Sequence, residues 1–330
     1  AKTITSENIN EVYPTYYPPR KTPKECYEQI IADVTDAEQY APDNDNSDRT
    51  KMTKTVAQAM LAKVYAEKEV QDYDKVIAYA DKVMKTTGVE LEDSYETLWG
   101  YDETAKDCMK RNTKEGILEV HWTTGSGNWE TWMYGRQLDN WDYYFTWAKW
   151  ITPSRDIIND FDKEGDEVRK NQAIVYYACT WSNYYPASNY PFMYKLRSSY
   201  NNIYWVRLAD IILMKAEAEA YKGNLAESAK LVNQIRKRAK LKELTSDKTG
   251  SKESMIEAVL HERRLELAFE GERWFDLCRN NKVEQYLNGI DNRDSGRIRQ
   301  VRQFDSNSYL LPIPQTALDQ NTNLEQNPGY

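Results

Sequence analysis

The sequence predicts a mostly α-helical fold with little β structure, and three observations carry that expectation. Apolar residues recur at helical spacing in two separate pairs of segments, Thr53 to Lys85 and Leu208 to Ala239. Small residues (Ala57, Ala59 and Ala62 in the first pair; Ala216, Ala218, Ala220, Ala226 and Ala229 in the second) stand where two helix backbones must approach closely. Between the pairs lie more than a hundred residues that hold no steady period. Two similar hairpins so far apart imply a tetratricopeptide-like array, with a unit of about 34 residues, interrupted by a different kind of structure.

Taken in order, residues 1–23 contain Tyr13, Pro14, Tyr16, Tyr17, Pro18, Pro19 and Pro23, an extended, proline-stiffened lead-in. A helix is expected from about Pro23 to Tyr40, with Cys26, Ile30, Val34 and Ala37 on its apolar face. Asp43 to Asp48 alternates oxygen donors but lacks the central Gly and final Glu of a calcium loop, so it reads as a solvated loop. The first hairpin follows, with Val56, Met60 and Val64 on one helix and Val76, Ala80 and Val83 on the next. GILEVHW from Gly116 alternates like a strand, Pro153 to Asp162 reads as a short helix, and Ala173 to Ala178 is a second candidate strand.

The second hairpin carries Leu208, Ile211, Ile212 and Ala216, stops at Gly223, and resumes with Leu225, Ala229, Val232, Ile235 and Ala239. A third helix from Ser251 to about Glu270 places Ile256, Val259, Leu260, Leu267 and Ala268 inward. Gly271 ends it, and Arg273 and Trp274 open the next short element. Pro312 and Pro314 argue against a helix in the tail and predict extended chain over 303–330. The expected organisation is one body: a helical scaffold at 24–86 and 203–280, an aromatic loop-rich subdomain at about 87–202, and the tail.

The interruption is the informative part. From Trp122 to Trp150 the sequence holds six of the ten Trp, and Gly125, Gly127 and Gly135 break it into loops, where binding residues tend to sit. Flat indole and phenol rings stack on the C–H faces of sugar rings, while amide, carboxylate and guanidinium groups reach the hydroxyls. Trp129, Trp132, Tyr134, Arg136, Asn140, Trp141, Tyr143 and Tyr144 are therefore the candidate ligand-binding residues. A second aromatic patch comprises Trp181, Tyr184, Tyr185, Tyr190, Phe192 and Tyr194.

Composition points the same way. The chain has 25 Tyr and 10 Trp against 6 Phe, an excess of rings with polar handles that favours a partly polar ligand over simple core filling. A net charge of -8 argues against a nucleic-acid partner, which needs clustered, uncancelled Lys and Arg. Cys26, Cys108, Cys179 and Cys278 have no metal or redox spacing, and His121 and His261 are the only histidines, so neither a metal nor a cofactor is expected. Cys278, on a helical pattern, reads as a buried small apolar residue.

No phosphate-binding glycine loop, G-x-S-x-G elbow or H-E-x-x-H motif is present. The charges in and around the second hairpin and third helix invite a catalytic reading. A buried ion-pair network explains them with fewer assumptions. Arg207, Asp210, Glu217, Glu262, Arg263, Arg264, Glu266, Glu270, Arg273, Trp274 and Asp276 are accordingly assigned structural roles.

Three segments, RLADIILMKAEA from Arg207, HERRLELAFEGERWFDLC from His261 and LPIPQTALDQNTNLEQNPGY from Leu311, closely resemble the SusD/RagB family of Bacteroidetes surface lipoproteins. Thr22 to Ala41, Thr53 to Tyr65 and Thr152 to Phe161 support the resemblance, which spans nearly the whole chain. It implies non-catalytic binding of oligosaccharide or polysaccharide at the outer membrane and delivery to a SusC-like TonB-dependent transporter. Such proteins carry a lipid-bearing cysteine and further helices before the segment where this chain begins, so a member lacking its N-terminal portion is expected. Cys26 lies inside a predicted helix and is not that anchor. In the family the charged motifs are scaffold, whereas the eight candidate ligand residues rest on their chemistry. Two other functions fit the residues: a glycoside hydrolase with a helical barrel, separable by its release of reducing sugar, and a protein-only helical-repeat scaffold.

Overall fold

The structure, a computed structural model, describes residues 5–9, 17–102, 104–105, 107–122, 152–180, 182, 184–198, 200–296 and 302–330. Helix α1 (Pro23–Tyr40) starts from a reciprocal cap: Thr22 accepts from the Glu25 N–H, and Glu25 accepts from that of Thr22. Ile31 and Val34 pack against the body, while Cys26 and Ile30 are exposed. Val34 thus lies on the expected face, while packing against the hairpin covers Ile31 in place of its neighbour Ile30.

Helices α2 (Lys54–Ala66) and α3 (Tyr73–Met84) form the first hairpin, and Val76, Ala80 and Val83 are all buried. Then come α4 (Tyr95–Trp99), β1 (Tyr101–Asp102), β2 (Asp107–Cys108), β3 (Gly116–Val120), α5 (Arg155–Glu164), α6 (Glu167–Ala173), β4 (Ile174–Tyr177), β5 (Tyr190–Met193) and β6 (Ile203–Arg207). The second hairpin is α7 (Leu208–Lys222) and α8 (Leu225–Arg238), followed by α9 (Ser246–Thr249), α10 (Lys252–Glu266), α11 (Arg273–Arg279), α12 (Val283–Leu287) and α13 (Gln315–Gln320).

Helix α7 packs on α3, α8 and α10 and is buried continuously from Leu208 to Ala220, the state of a helix that is a core element rather than a surface one. The two hairpins thus share one core, which runs from Val56 and Ala80 through Ile212 and Ala216 to Ile235 and Leu260. Close approach of α7 and α8 is made through Ser228, whose Oγ donates to the Ala216 carbonyl at 2.7 Å, while Ala226 is exposed. Gly223 ends α7 at φ 84°, a conformation that costs a residue with a Cβ.

The described strands pair in antiparallel couples: β1 with β2, β3 with β6, and β4 with β5. Strand β6 stands where the helical scaffold was expected to begin. It pairs Tyr204 with Glu119 and Ile203 with Val120, tying the chain that leaves the first hairpin to the chain that enters the second. The tail also departs from expectation. Helix α13 begins immediately after Pro314, because a proline before the first helical residue gives up no intrahelical bond. The tail clasps the lead-in, with Asn323 donating to the Tyr17 carbonyl at 2.7 Å and Arg20 to Asn327 at 2.6 Å. Cys278 is only half-buried, and that burial pushes its thiol up to about 11.

Candidate functional site

Most of the charges singled out in the sequence meet one another. Arg207, at the junction of β6 and α7, donates to Glu115 at 2.8 Å, Glu266 at 2.7 Å and Glu270 at 2.6 Å. Glu266 also accepts from Arg238 at 2.6 Å, from Arg169 at 3.2 Å and from the Tyr95 hydroxyl at 2.5 Å. Glu262 bridges Arg169 at 2.6 Å and Arg236 at 2.9 Å. On the other side of α10, Arg263 binds Asp210 at 2.8 Å and Asp276 at 2.9 Å, and Arg279 grips Glu217 through two bonds of 2.7 and 2.8 Å. Arg264 pairs with Asp156 at 2.7 Å and with Asp160.

These groups are out of water: Arg207, Arg263, Glu262 and Glu266 are each at most 1% exposed. Burial alone would raise the Glu266 carboxyl, but Arg238, Arg207 and Arg169 hold it well below the usual carboxylate range. Asp276 is held down in the same way, against its burial, by Arg263 and Arg279. A buried charge stripped of its partner costs about 3–5 kcal/mol. The arrangement therefore locks α10 to β6, α6, α7, α8 and α11.

The eight candidate ligand residues, Trp129, Trp132, Tyr134, Arg136, Asn140, Trp141, Tyr143 and Tyr144, lie outside the described residues, as does Trp181 of the second patch. What is described is how the body holds the flanks of that segment. On one side the Trp122 carbonyl accepts from Arg111 at 2.7 Å, and Arg111 also donates to the Tyr200 carbonyl at 3.1 Å. On the other, the Thr152 and Tyr190 hydroxyls are 2.8 Å apart, and the Tyr185 hydroxyl donates to the Pro153 carbonyl at 2.9 Å.

At that second flank the aromatic patch closes on a cation that the sequence reading missed. The Arg155 guanidinium sits over the Tyr184 ring at 4.4 Å and the Tyr185 ring at 4.1 Å. Its amide donates to Asp294 at 2.9 Å, and the Tyr184 hydroxyl reaches the same carboxylate. Tyr185 and Tyr190 meet edge-on at 5.7 Å. Arg155 opens helix α5 just after its Ser154 cap, a position that puts its side chain beside the loop rather than in the core.

Two cavities lie against the turn that follows α10. The chain reverses there through Phe269 at φ 67° and Gly271 at φ 88°. A phenylalanine in the left-handed region costs about 1–3 kcal/mol. Phe269 is held there by packing against the Leu265 and Ala268 cluster. One cavity, of about 350 Å³, is walled by Trp99, Met193, Lys195, Tyr204 and Glu270. The other, of about 420 Å³, is walled by Thr152, Ser154, Arg263, Arg264, Arg273 and Trp274. Three of the assigned structural arginines and Trp274 thus face a cavity as well as the scaffold. Among the described residues the two linings contribute one carboxylate, Glu270, bound to Lys195 at 2.5 Å and to Arg207.

Among the described residues no group of three His, Cys, Asp or Glu is placed to hold a metal ion, and no helix is long and apolar enough to cross a membrane. In the acidic loop before α2, the chain's own cations take the oxygens: Asn44 and Asn46 accept from Arg49, and Asp45 from Lys51.

The described residues form a helical-hairpin body with a buried ionic spine, and the two ends of the aromatic-rich segment are tied to it. The chain belongs to the SusD family, whose model matches residues 27–330. It is 28% identical over 354 aligned positions to SusD-like protein P2 of Formosa agariphila, across 94% of this chain and 66% of the relative. It is 36% identical over 135 positions to SusD-like protein P38 of the same organism, across 39% of this chain and 25% of that one. The chain therefore spans about two thirds of the first relative.

Among solved structures, a SusD-like protein from Bacteroides fragilis superposes with a TM-score of 0.72 at 22% identity, across 96% of this chain and 73% of that one. A protein described as a laminarin-binding SusD-like protein superposes with a TM-score of 0.68 at 24% identity, across 94% and 70%. At these identities the superpositions establish the fold. Proteins of the family are non-catalytic binding proteins of the outer membrane.

Proposed function

We propose that this chain binds oligosaccharide without catalysis at the cell surface and delivers it to a SusC-like TonB-dependent outer-membrane transporter, held there by a lipid anchor N-terminal to the segment considered. The observation that carries the reading is the aromatic-rich segment 123–151, gripped at both flanks by a body most of whose buried charges are paired with one another. Rings that stack on sugars are offered by a support that ion pairs hold rigid. Family membership supports the same reading, and the laminarin-binding relative suggests that this fold can carry a glucan site. Among the described residues these two cavity linings hold one carboxylate, Glu270, and it is ion-paired, whereas glycoside cleavage needs two across the bond.

Calorimetry of the full-length protein against a polysaccharide panel tests this. Weak binding to at least one glycan is expected, reduced about tenfold by Trp129→Ala or Trp141→Ala with the melting temperature kept. Silence across the whole panel would sink the proposal. Sustained release of reducing sugar, lost on changing one Asp or Glu, would replace it with the hydrolase. Co-purification of the transporter from membranes tests the delivery step.

A further inference from the structure

The 420 Å³ cavity between the start of α5 and the start of α11 is cationic in an unbalanced way. Three arginines face it, and no carboxylate is among its described lining residues. Arg263 is neutralised by Asp210 and Asp276, and Arg264 by Asp156 and Asp160. Arg273 has no carboxylate within ion-pair distance among the described residues. Its Nη1 donates to the Leu260 carbonyl at 3.0 Å, and its guanidinium lies 4.7 Å from the centroid of the Tyr286 ring.

Burial, with Arg264 beside it, pushes that guanidinium down to about 10 against the pull of Asp276, which lies beyond ion-pair distance, so it stays charged at neutral pH without the direct ion pair its neighbours have. Thr152 and Ser154 add hydroxyls and Trp274 adds a ring face. The volume falls within the range of about 300–1,000 Å³ typical of small-ligand sites. Thr152 and Ser154, in the cavity wall, follow segment 123–151 directly in the sequence.

We infer that this cavity receives an anionic substituent of a sugar, a carboxylate or a sulfate ester, with Arg273 as its principal counter-charge, so that the glycans bound are acidic. The inference rests on the glycan-binding reading above. A guanidinium fork suits either oxyanion, and an Arg held partly out of water gains more from pairing than one on the open surface.

Three probes separate the possibilities: an oligogalacturonide for the carboxylate, a carrageenan oligosaccharide for the sulfate ester, and a laminari-oligosaccharide as the neutral control. At least one acidic probe is expected to bind about tenfold or more tighter than the neutral one, with an advantage that shrinks as salt rises. Arg273→Gln should weaken the acidic probe by about tenfold to a hundredfold and leave neutral binding within about twofold. Arg273→Lys should fall between, since it keeps the charge and loses the fork.

Ser154→Asp serves as a second variant that spares the arginine. It keeps a favoured helix cap, places a carboxylate at the cavity wall and should also lower affinity for the acidic probe alone. Acidic probes binding no better than the neutral one, or Arg273→Gln and Ser154→Asp weakening both kinds alike at unchanged melting temperature, overturns the inference. If neither these probes nor the wider panel binds, the glycan reading itself fails and takes this inference with it.

Discussion

In the helical body, Arg169, Arg207, Arg263 and Arg279 are each no more than 2% exposed, and each is bound to carboxylates. On the flank that grips the aromatic segment, arginines also rest on rings: Arg155, whose guanidinium lies 3.8 Å from Asp294, on Tyr184 and Tyr185, and Arg197 on Tyr194 at 3.7 Å. Arg197 donates to the Tyr194 carbonyl and to Gln172, and among the described residues it has no carboxylate partner. Burial pushes it down to about 10, whereas the buried, carboxylate-bound Arg207 is raised well above its ordinary value despite its burial. Paired arginines are spent on rigidity. On the flank the ring faces take over part of that role, and Arg197 is left with ring and carbonyl contacts alone among the described residues. The same residue type thus divides the molecule into a region that holds shape and a region that can still make contacts.

The largest expected effect lies in the spine. Glu266→Gln takes a shared counter-charge from three buried arginines, each left with another carboxylate (Glu115 and Glu270 for Arg207, Asp166 and Glu262 for Arg169, Glu115 for Arg238), and should cost about 3 kcal/mol in denaturant unfolding; a loss below about 1 kcal/mol would erase the contrast between the regions.

Acid should act on the same groups. Glu266 and Asp276 have folded-state pKa values below their ordinary 4.5 and 3.8. The unfolded chain therefore takes up protons first as pH falls, and their stabilisation, fully present above about 4.5, is lost progressively below it. A pH series of melting temperatures should drop through that window, and the drop should be shallower in Glu266→Gln.

A smaller effect is expected on the aromatic flank. Arg155→Met removes the cation over two rings and should cost about 1–2 kcal/mol, measured by the same unfolding experiment. A cost as large as that of Glu266→Gln would mean that this flank is as much scaffold as the spine.

The smallest sets the scale for a backbone-only change. Gly223→Ala meets nothing within 4 Å, so only its φ of 84° resists, and about 1 kcal/mol is expected.

Much of the fold was legible because helices announce themselves locally. Ala80 and Val83, or Val232 and Ile235, lie about one turn apart and turn up buried together. Strand β6 was not legible. Five residues, IYWVR, run without a break into α7, and the strand that pairs with them lies some eighty residues earlier, at Gly116–Val120. The face of α1 was only partly legible: Val34 packs inward as expected, but of the adjacent pair Ile30 and Ile31 it is Ile31 that the neighbouring helices cover. Arg155 gave no local signal, since its rings come from Tyr184 and Tyr185, about thirty residues later. The unbalanced charge of Arg273 was hidden inside a run of charges, most of which do have partners.

The sequence by itself determined the helical hairpins, the stops at glycine, the excess of Tyr and Trp, and the need of so many inward charges for partners. These follow from spacing, backbone sterics and the cost of burying a charge, all properties of short stretches of chain. Only the tertiary structure decided which partner each charge received. Arg207 meets Glu115 and Glu266 across separations of 92 and 59 residues, and Arg264 meets Asp156 across 108. Ion pairing is a matter of distance in space. Whether an arginine became a strut of the body or a charge left beside a cavity was therefore settled by packing.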